Sequence, residues 1–201
     1  MSITRIFKPV IILTLSAVLF STAGFGQTRR NDLSLQFGVL SSDQVIDIFG
    51  DTALIVIPLG SYDKRDMTFS GVPFLTYHYS ANDRFGFGGA IGYYSASGAL
   101  VESGGDVVVG DFREKSYIGA VELDYHWFMK PGLQLYSGAG FGVKVRRGTY
   151  VDGTDTDKVT KALPAFHLNA IGLRVGKKVG FFAELGIGYK GILAVGLNGQ
   201  F

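Results

Sequence analysis

Between Tyr117 and Phe128 the residues alternate in character with a period of two. Tyr117, Gly119, Val121, Leu123, Tyr125 and Trp127 form an apolar set with aromatics at both ends, while Ile118, Ala120, Glu122, Asp124, His126 and Phe128 carry the charges. That period belongs to a β-strand, whose side chains point alternately to opposite faces. The same alternation predicts seven more strands, at about 33–40, 72–79, 84–94, 133–146, 165–175, 181–189 and 192–201. Within 165–175 the phase slips: Phe166 and Leu168 follow one parity and Ile171, Leu173 and Val175 the other, which predicts a bulge near Ala170.

In several strands the glycines and charges share one parity and the large apolar residues the other. Phe85, Phe87, Ile91 and Tyr93 oppose Gly86, Gly88, Ala90 and Gly92, and Phe181, Ala183, Leu185, Ile187 and Tyr189, expected to face outward, oppose Phe182, Glu184, Gly186 and Gly188. A water-soluble barrel puts apolar residues inside. Small and charged residues on one face, with aromatic-flanked apolar residues on the other, suit a narrow polar interior facing away from lipid. The connections between predicted strands alternate in length. Leu40–Gly71, Ser95–Lys115 and Arg147–Pro164 are long, Ser80–Asp83, Met129–Gly132 and Gly176–Gly180 are short, and only Lys190–Gly191 breaks the rule. The fold class expected is therefore all-β: an eight-stranded antiparallel up-and-down transmembrane β-barrel, with three long loops at one end and both termini at the other.

The tight hairpin at Met129–Gly132 fixes a register in which His126 faces Tyr136 and Asp124 faces Gly138. Glu122, Asp124 and His126 then point at space left by glycines, where Lys144, Arg146, Arg174 and Lys190 can reach from other strands. Arg174 and Glu184 flank the Gly176–Gly180 turn as cross-strand neighbours or nearly so. These eight residues are expected to form a polar network that plugs the lumen, because an unpaired charge in a dry interior is costly.

Composition adds a compartment. Arg5 and Lys8 precede an apolar run from Val10 to Phe20 and then Ser21, Thr22, Ala23 and Gly24, the layout of a secretory signal peptide. Residues 1–26 read as that signal, with cleavage near Gly26, and 27–201 as one barrel domain. Removing the signal leaves 17 basic against 17 acidic side chains, so no nucleic-acid partner is implied. Absence of Cys rules out disulfides and thiolate chemistry.

With these features the chain resembles the small eight-stranded outer-membrane β-barrels of the OmpX and OmpA transmembrane type, the outer membrane protein β-barrel domain family. The resemblance is carried by the signal segment, by GFGGAIGYY and YSGAGFGVKV, by ELGIGYKGILAVGLNGQF, and above all by the terminal Phe201. It implies an integral protein of the cell outer membrane with periplasmic termini, in contact with outer-membrane lipids and lipopolysaccharide. It also implies that Leu193, Val195, Leu197 and Phe201 are read by the barrel-assembly machinery, with Gly199 a departure from the pattern.

Candidate chemistry is sparse. Glu122, Asp124 and His126 have alternate spacing but no second His, so no metal or other cofactor is expected. His78 and Ser80 have the spacing of an esterase pair, with no acid evident beside them, and His167 is followed by Asn169 where Ser would be needed. The carboxylates of VDGTDTDK lack the spacing of an EF-hand. The segment 42–60 joins a capping Ser to the apolar run Ala53–Leu59 and reads as a small helical cap over the mouth, or as a patch for an extracellular partner. The expectation is a monomeric, non-enzymatic barrel of structural or surface-interaction type; the alternatives are a narrow pore for small solutes or ions and a lipid-modifying enzyme.

Overall fold

The structure is a computed structural model in which residues 30–41, 44, 62–102, 107–152 and 155–201 are described. The predicted signal 1–26 lies outside them, as does the 42–60 segment apart from Gln44. At the edge of that segment Ser41 and Gln44 form a reciprocal cap, the Ser41 N–H donating to Gln44 Oε1 at 2.9 Å and the Gln44 N–H to Ser41 Oγ at 3.3 Å.

Nine strands are present among the described residues: β1 (Asn31–Val39), β2 (Tyr62–Phe69), β3 (Val72–Ser80), β4 (Phe85–Glu102), β5 (Val108–Lys130), β6 (Gly132–Asp152), β7 (Asp155–Gly176), β8 (Val179–Gly188) and β9 (Leu193–Gln200). All pairings are antiparallel, and the ring closes through β4–β5 at one point and β1–β9 at another. β2 and β3 both pair with β4, β3 with its residues 86–92 and β2 with 96–102, so they lie end to end as one stave. The break between them is Ser70–Gly71, where Gly71 takes a φ of +67° and Ser70 Oγ accepts the Ser95 N–H at 2.9 Å. The barrel thus has eight staves in up-and-down order.

The staves differ in height. β4 through β7 continue past the predicted strand ends, so that the supposed loops Ser95–Lys115 and Arg147–Pro164 are mostly the upper halves of two long hairpins. The reason is visible in the alternation, which persists through Phe112, Glu114 and Ser116 while the outward residues change from apolar to charged. Opposite this tall wall, β8 and β9 are joined by a short turn whose Tyr189, Lys190 and Gly191 are buried. The turn packs so tightly against β1 that a Cβ on Gly38 would sit 1.7 Å from the Lys190 carbonyl oxygen, a contact only glycine permits.

Two bulges adjust the wall at its low end. Ala170 interrupts the β7–β8 register, and its carbonyl accepts a 2.6 Å hydrogen bond from Ser137 Oγ, which in turn accepts the Trp127 indole N–H at 2.8 Å. Trp127 is itself the extra residue of the second bulge, between His126 and Phe128. The two irregularities stitch β5, β6 and β7 together where the outer face meets its lower aromatic border.

Sidedness runs against that of a soluble protein. On β5, Val121 is 69% exposed and Glu122 only 4%. Outward-facing apolar residues form a continuous belt around all staves, bordered below by Tyr79, Phe87, Phe85, Tyr125 and Trp127 and above by Tyr93 and Tyr117, which meet in ring pairs 4.8–5.6 Å apart. From Tyr117 to Trp127 the strand rises ~33 Å, or ~25 Å along the axis at a barrel's usual tilt of about 40°, which matches the apolar core of an outer membrane.

Candidate functional site

The inner face is built in three levels. At the end nearest the termini, His78 on β3 lies between two carboxylates of β5, its Nε2 2.8 Å from Glu122 Oε2 and its Nδ1 against Asp124. Both ring nitrogens donate only in the imidazolium form, so the geometry describes a cation held by two anions. Glu122 is the hub: it also accepts from the Tyr189 hydroxyl at 2.5 Å and from Lys190 Nζ at 2.9 Å. Lys190 stands 3.6 Å from Glu184, and Glu184 accepts the Tyr136 hydroxyl at 2.8 Å. Beside this cluster Arg174 Nε donates to Asn198 Oδ1 at 2.8 Å and stands 3.8 Å from Asp32, while its terminal nitrogens reach the Gly176 and Lys177 carbonyls. Gln200 bonds Asp32 and Gln134. The space left among these groups is a cavity of about 40 Å³, room for a few waters and nothing larger.

Above lies an apolar waist. The Phe74 and His167 rings lie against Tyr189 at centroid distances of 5.5 and 5.2 Å, both tilted to it, and Ala90, Ile118 and Ala165 complete the layer. Gly92 and Gly140 are required there: a Cβ at the first would stand 2.2 Å from the Phe74 ring, and at the second 2.1 Å from the Tyr189 hydroxyl.

The third level sits between the tall hairpins, above the Tyr93–Tyr117 border and so outside the belt. Glu114 accepts from Arg146, from the Tyr150 hydroxyl and from Lys64 Nζ at 2.9 Å, within walls of Phe112, Leu100 and Tyr94. Burial pushes the Glu114 carboxyl up, but the charges of Arg146 and Lys64 outweigh it and hold the group below its ordinary 4.5. A carboxylate whose folded value is depressed stabilises the fold fully above the unfolded value and loses that contribution as pH falls through the folded one. Hydrogen-exchange protection of the upper β4–β5 hairpin should therefore be constant above pH 4.5 and fall at more acid pH. In Glu114→Gln it should be lower by about 1–3 kcal/mol near neutrality, with the acid step gone.

Of the residues predicted for the lumen, Glu122, Asp124, Lys144, Arg146, Arg174, Glu184 and Lys190 are buried on the inner face and His126 is half-buried there, its ring 5.7 Å from Tyr136. They are spread over more than one level of the barrel. Arg146 belongs with Glu114, two levels away from Glu122, and Arg174 stands opposite Phe182, diagonal to Glu184, with Asp32 and Asn198 as partners. His78, whose spacing to Ser80 is that of an esterase pair, points inward, and the acids beside it come from β5. Sequence reasoning missed Glu114, Lys64 and Asp32, and it placed Tyr189 outward by continuing the β8 alternation, whereas the strand ends at Gly188 and the turn carries Tyr189 inward onto Glu122. Extending the parity of Ile118 backwards through Ser116 to Glu114 would have found the first. Among the described residues no cluster of His, Asp and Glu has the arrangement of a metal site. Leu193, Val195 and Leu197 face outward on β9, and Phe201 holds the seam through two 3.0 Å backbone hydrogen bonds with Asn31.

An apolar belt of bilayer height around a polar, side-chain-filled interior defines the class: an antiparallel β-barrel of the small outer-membrane type. No family model matches the chain, and no curated protein matches it. Among solved structures it is similar to the N-terminal β-barrel domain of OprF from Pseudomonas aeruginosa, at 14% identity over 87% of this chain and 100% of that one, with a TM-score of 0.45. It is also similar to Ail, the attachment invasion locus protein of Yersinia pestis, crystallised with the heparin analogue sucrose octasulfate: 13% identity, 85% and 98% covered, TM-score 0.46. A second Ail structure gives 12%, 85%, 95% and 0.43. The barrel itself stands on the pairings and the sidedness described above.

Proposed function

We propose that this chain is an integral outer-membrane protein of structural or surface-interaction type, with its lumen closed and the tall hairpins β4–β5 and β6–β7 presented outside the cell. In this reading both termini are periplasmic, the barrel works as a monomer that carries out no catalysis, and its partners are membrane lipids, the assembly machinery that reads β9, and an extracellular ligand met by the hairpins. The observation that carries it is the combination of an apolar belt outside with three levels of packed side chains inside, the lower of which leaves a cavity of about 40 Å³. Against an esterase, both nitrogens of His78 are occupied by carboxylates, leaving neither to take a proton from a hydroxyl. The test is single-channel recording of the refolded protein in a planar bilayer, after heat-modifiable gel migration shows the barrel. Silence across a range of voltages is expected; discrete ion-selective steps would replace this reading with the narrow pore.

A further inference from the structure

The outward face of β4, β5 and β6 departs from the rest of the belt. Its hydrogen-bonded rows can be read from the registers. One row runs Tyr77, Gly89, Val121, Phe141, and the next Leu75, Ile91, Gly119, Val143. Two glycines in adjacent rows remove the side chains that would fill the surface, and a groove of about 550 Å³ opens over them, walled by Tyr77, Ile91, Val121 and Phe141. A Cβ on Gly119 would meet nothing within 4 Å. The third row is Tyr93, Tyr117, Val145, the upper aromatic border. The fourth is Ser95, Lys115, Arg147, Thr160, and the fifth Ser97, Arg113, Thr149, Lys158.

Lys115 and Arg147 are thus directly opposite each other, both exposed, with Arg113 and Lys158 in the next row. Like charges in that position repel and weaken the sheet unless something negative lies between them. No ion pair joins either to an acid among the described residues; Asp111 is on this face but two residues beyond Arg113. The Arg147 guanidinium lies 5.9 Å from the centre of the Tyr117 ring, which fixes it at the border between belt and extension. From Lys115 to Gly119 is four residues, ~13 Å along the strand, a distance that a fatty acyl chain hanging from a phosphate at the border covers.

We propose that this wall binds one anionic lipid of the outer leaflet that carries a phosphomonoester, with the phosphate between Lys115 and Arg147 and an acyl chain in the groove over Gly89 and Gly119. The guanidinium supplies a planar pair of donors and the ammonium a flexible point charge, a combination suited to a phosphate. The chain fills apolar surface that the glycines leave uncovered. The proposal rests on the membrane-spanning reading above and names the lipid class that this face selects.

The test is native mass spectrometry of the refolded full barrel in detergent with equal amounts of dioleoyl phosphatidic acid and dioleoyl phosphatidylcholine. The protein should retain at least about tenfold more of the phosphatidic acid, two basic groups acting together on one phosphate. Lys115→Gln with Arg147→Gln should bring the ratio close to one. Gly119→Leu should lower retention of both lipids severalfold and leave the ratio unchanged, while Lys177→Gln with Lys178→Gln, at the opposite rim, should alter neither. Equal retention by the unmodified barrel would overturn the proposal, as would a preference that survives the first double variant or is lost in the second. A barrel that fails to enter bilayers removes this proposal together with the membrane reading. One that inserts silently and shows no lipid preference removes this proposal alone.

Discussion

Replacing Glu122 with Ala is expected to destabilise the barrel by about 3–5 kcal/mol, the usual consequence of breaking a buried ion pair by removing one partner. The carboxylate takes hydrogen bonds from three directions, His78 on β3 and the Tyr189 and Lys190 pair of the β8–β9 turn. Its loss strands a lysine that is 4% exposed and leaves it with Glu184 at 3.6 Å. It also leaves His78 with Asp124 alone among its two acids. Glu122→Gln keeps the volume and one acceptor but not the charge, and should recover less than half of the loss. The check is urea unfolding of the refolded protein, followed by Trp127 fluorescence and gel migration. A change below about 1 kcal/mol in the Ala variant, the scale of an exposed pair, would mean that water reaches Lys190 freely.

The second large effect belongs to the waist. Phe74→Ala combined with Tyr189→Ala should remove the apolar layer and turn a silent barrel into a conducting one, at a cost in stability of at least about 3 kcal/mol. Phe74 is 1% exposed and fits over Gly92, and Tyr189 lies against it while donating its hydroxyl to Glu122. Tyr189→Phe separates the two roles: it should lose the hydrogen bond, keep the ring and stay silent. Glu122→Ala should likewise stay silent, because the ring pair above it is untouched. Single-channel recording of all three variants decides the point. Conduction by Glu122→Ala would place the barrier at the charged level instead.

Much of the barrel was legible because strand alternation and tight turns are local. The Met129–Gly132 hairpin fixed His126 opposite Tyr136 and Asp124 opposite Gly138, as the register has them, and the phase slip at Ala170 is a bulge in the structure. The height of the wall was not legible in the same way. Past Tyr117 the inner parity continues through Ser116, Glu114 and Phe112, but the outer parity becomes Lys115, Arg113 and Asp111, and an outward charge reads as loop when lipid is taken to extend along the whole strand. β2 escaped for a similar reason, its residues being largely polar. The partners inside the lumen were beyond sequence altogether. Glu122 and Lys190 are 68 residues apart and His78 and Glu122 are 44 apart, so only ring closure determines which charges meet. Ring closure likewise puts Arg146 at the level of Glu114, above the ring pair and away from Glu122.

The buried β8–β9 turn sits on the seam that closes the ring. Its hairpin is local and forms cheaply, whereas the β1–β9 seam joins residues about 170 positions apart, Asn31 and Phe201, and carries the largest loop-closure entropy in the chain. Gly38 on β1 lies against the Lys190 carbonyl and Gly191 against that of Val39, each too close for a Cβ. The same short turn thus meets the closing seam with its backbone and the interior with its ammonium, which Glu122 holds. Closure of the ring and neutralisation of the lumen are in this way tied to one three-residue segment.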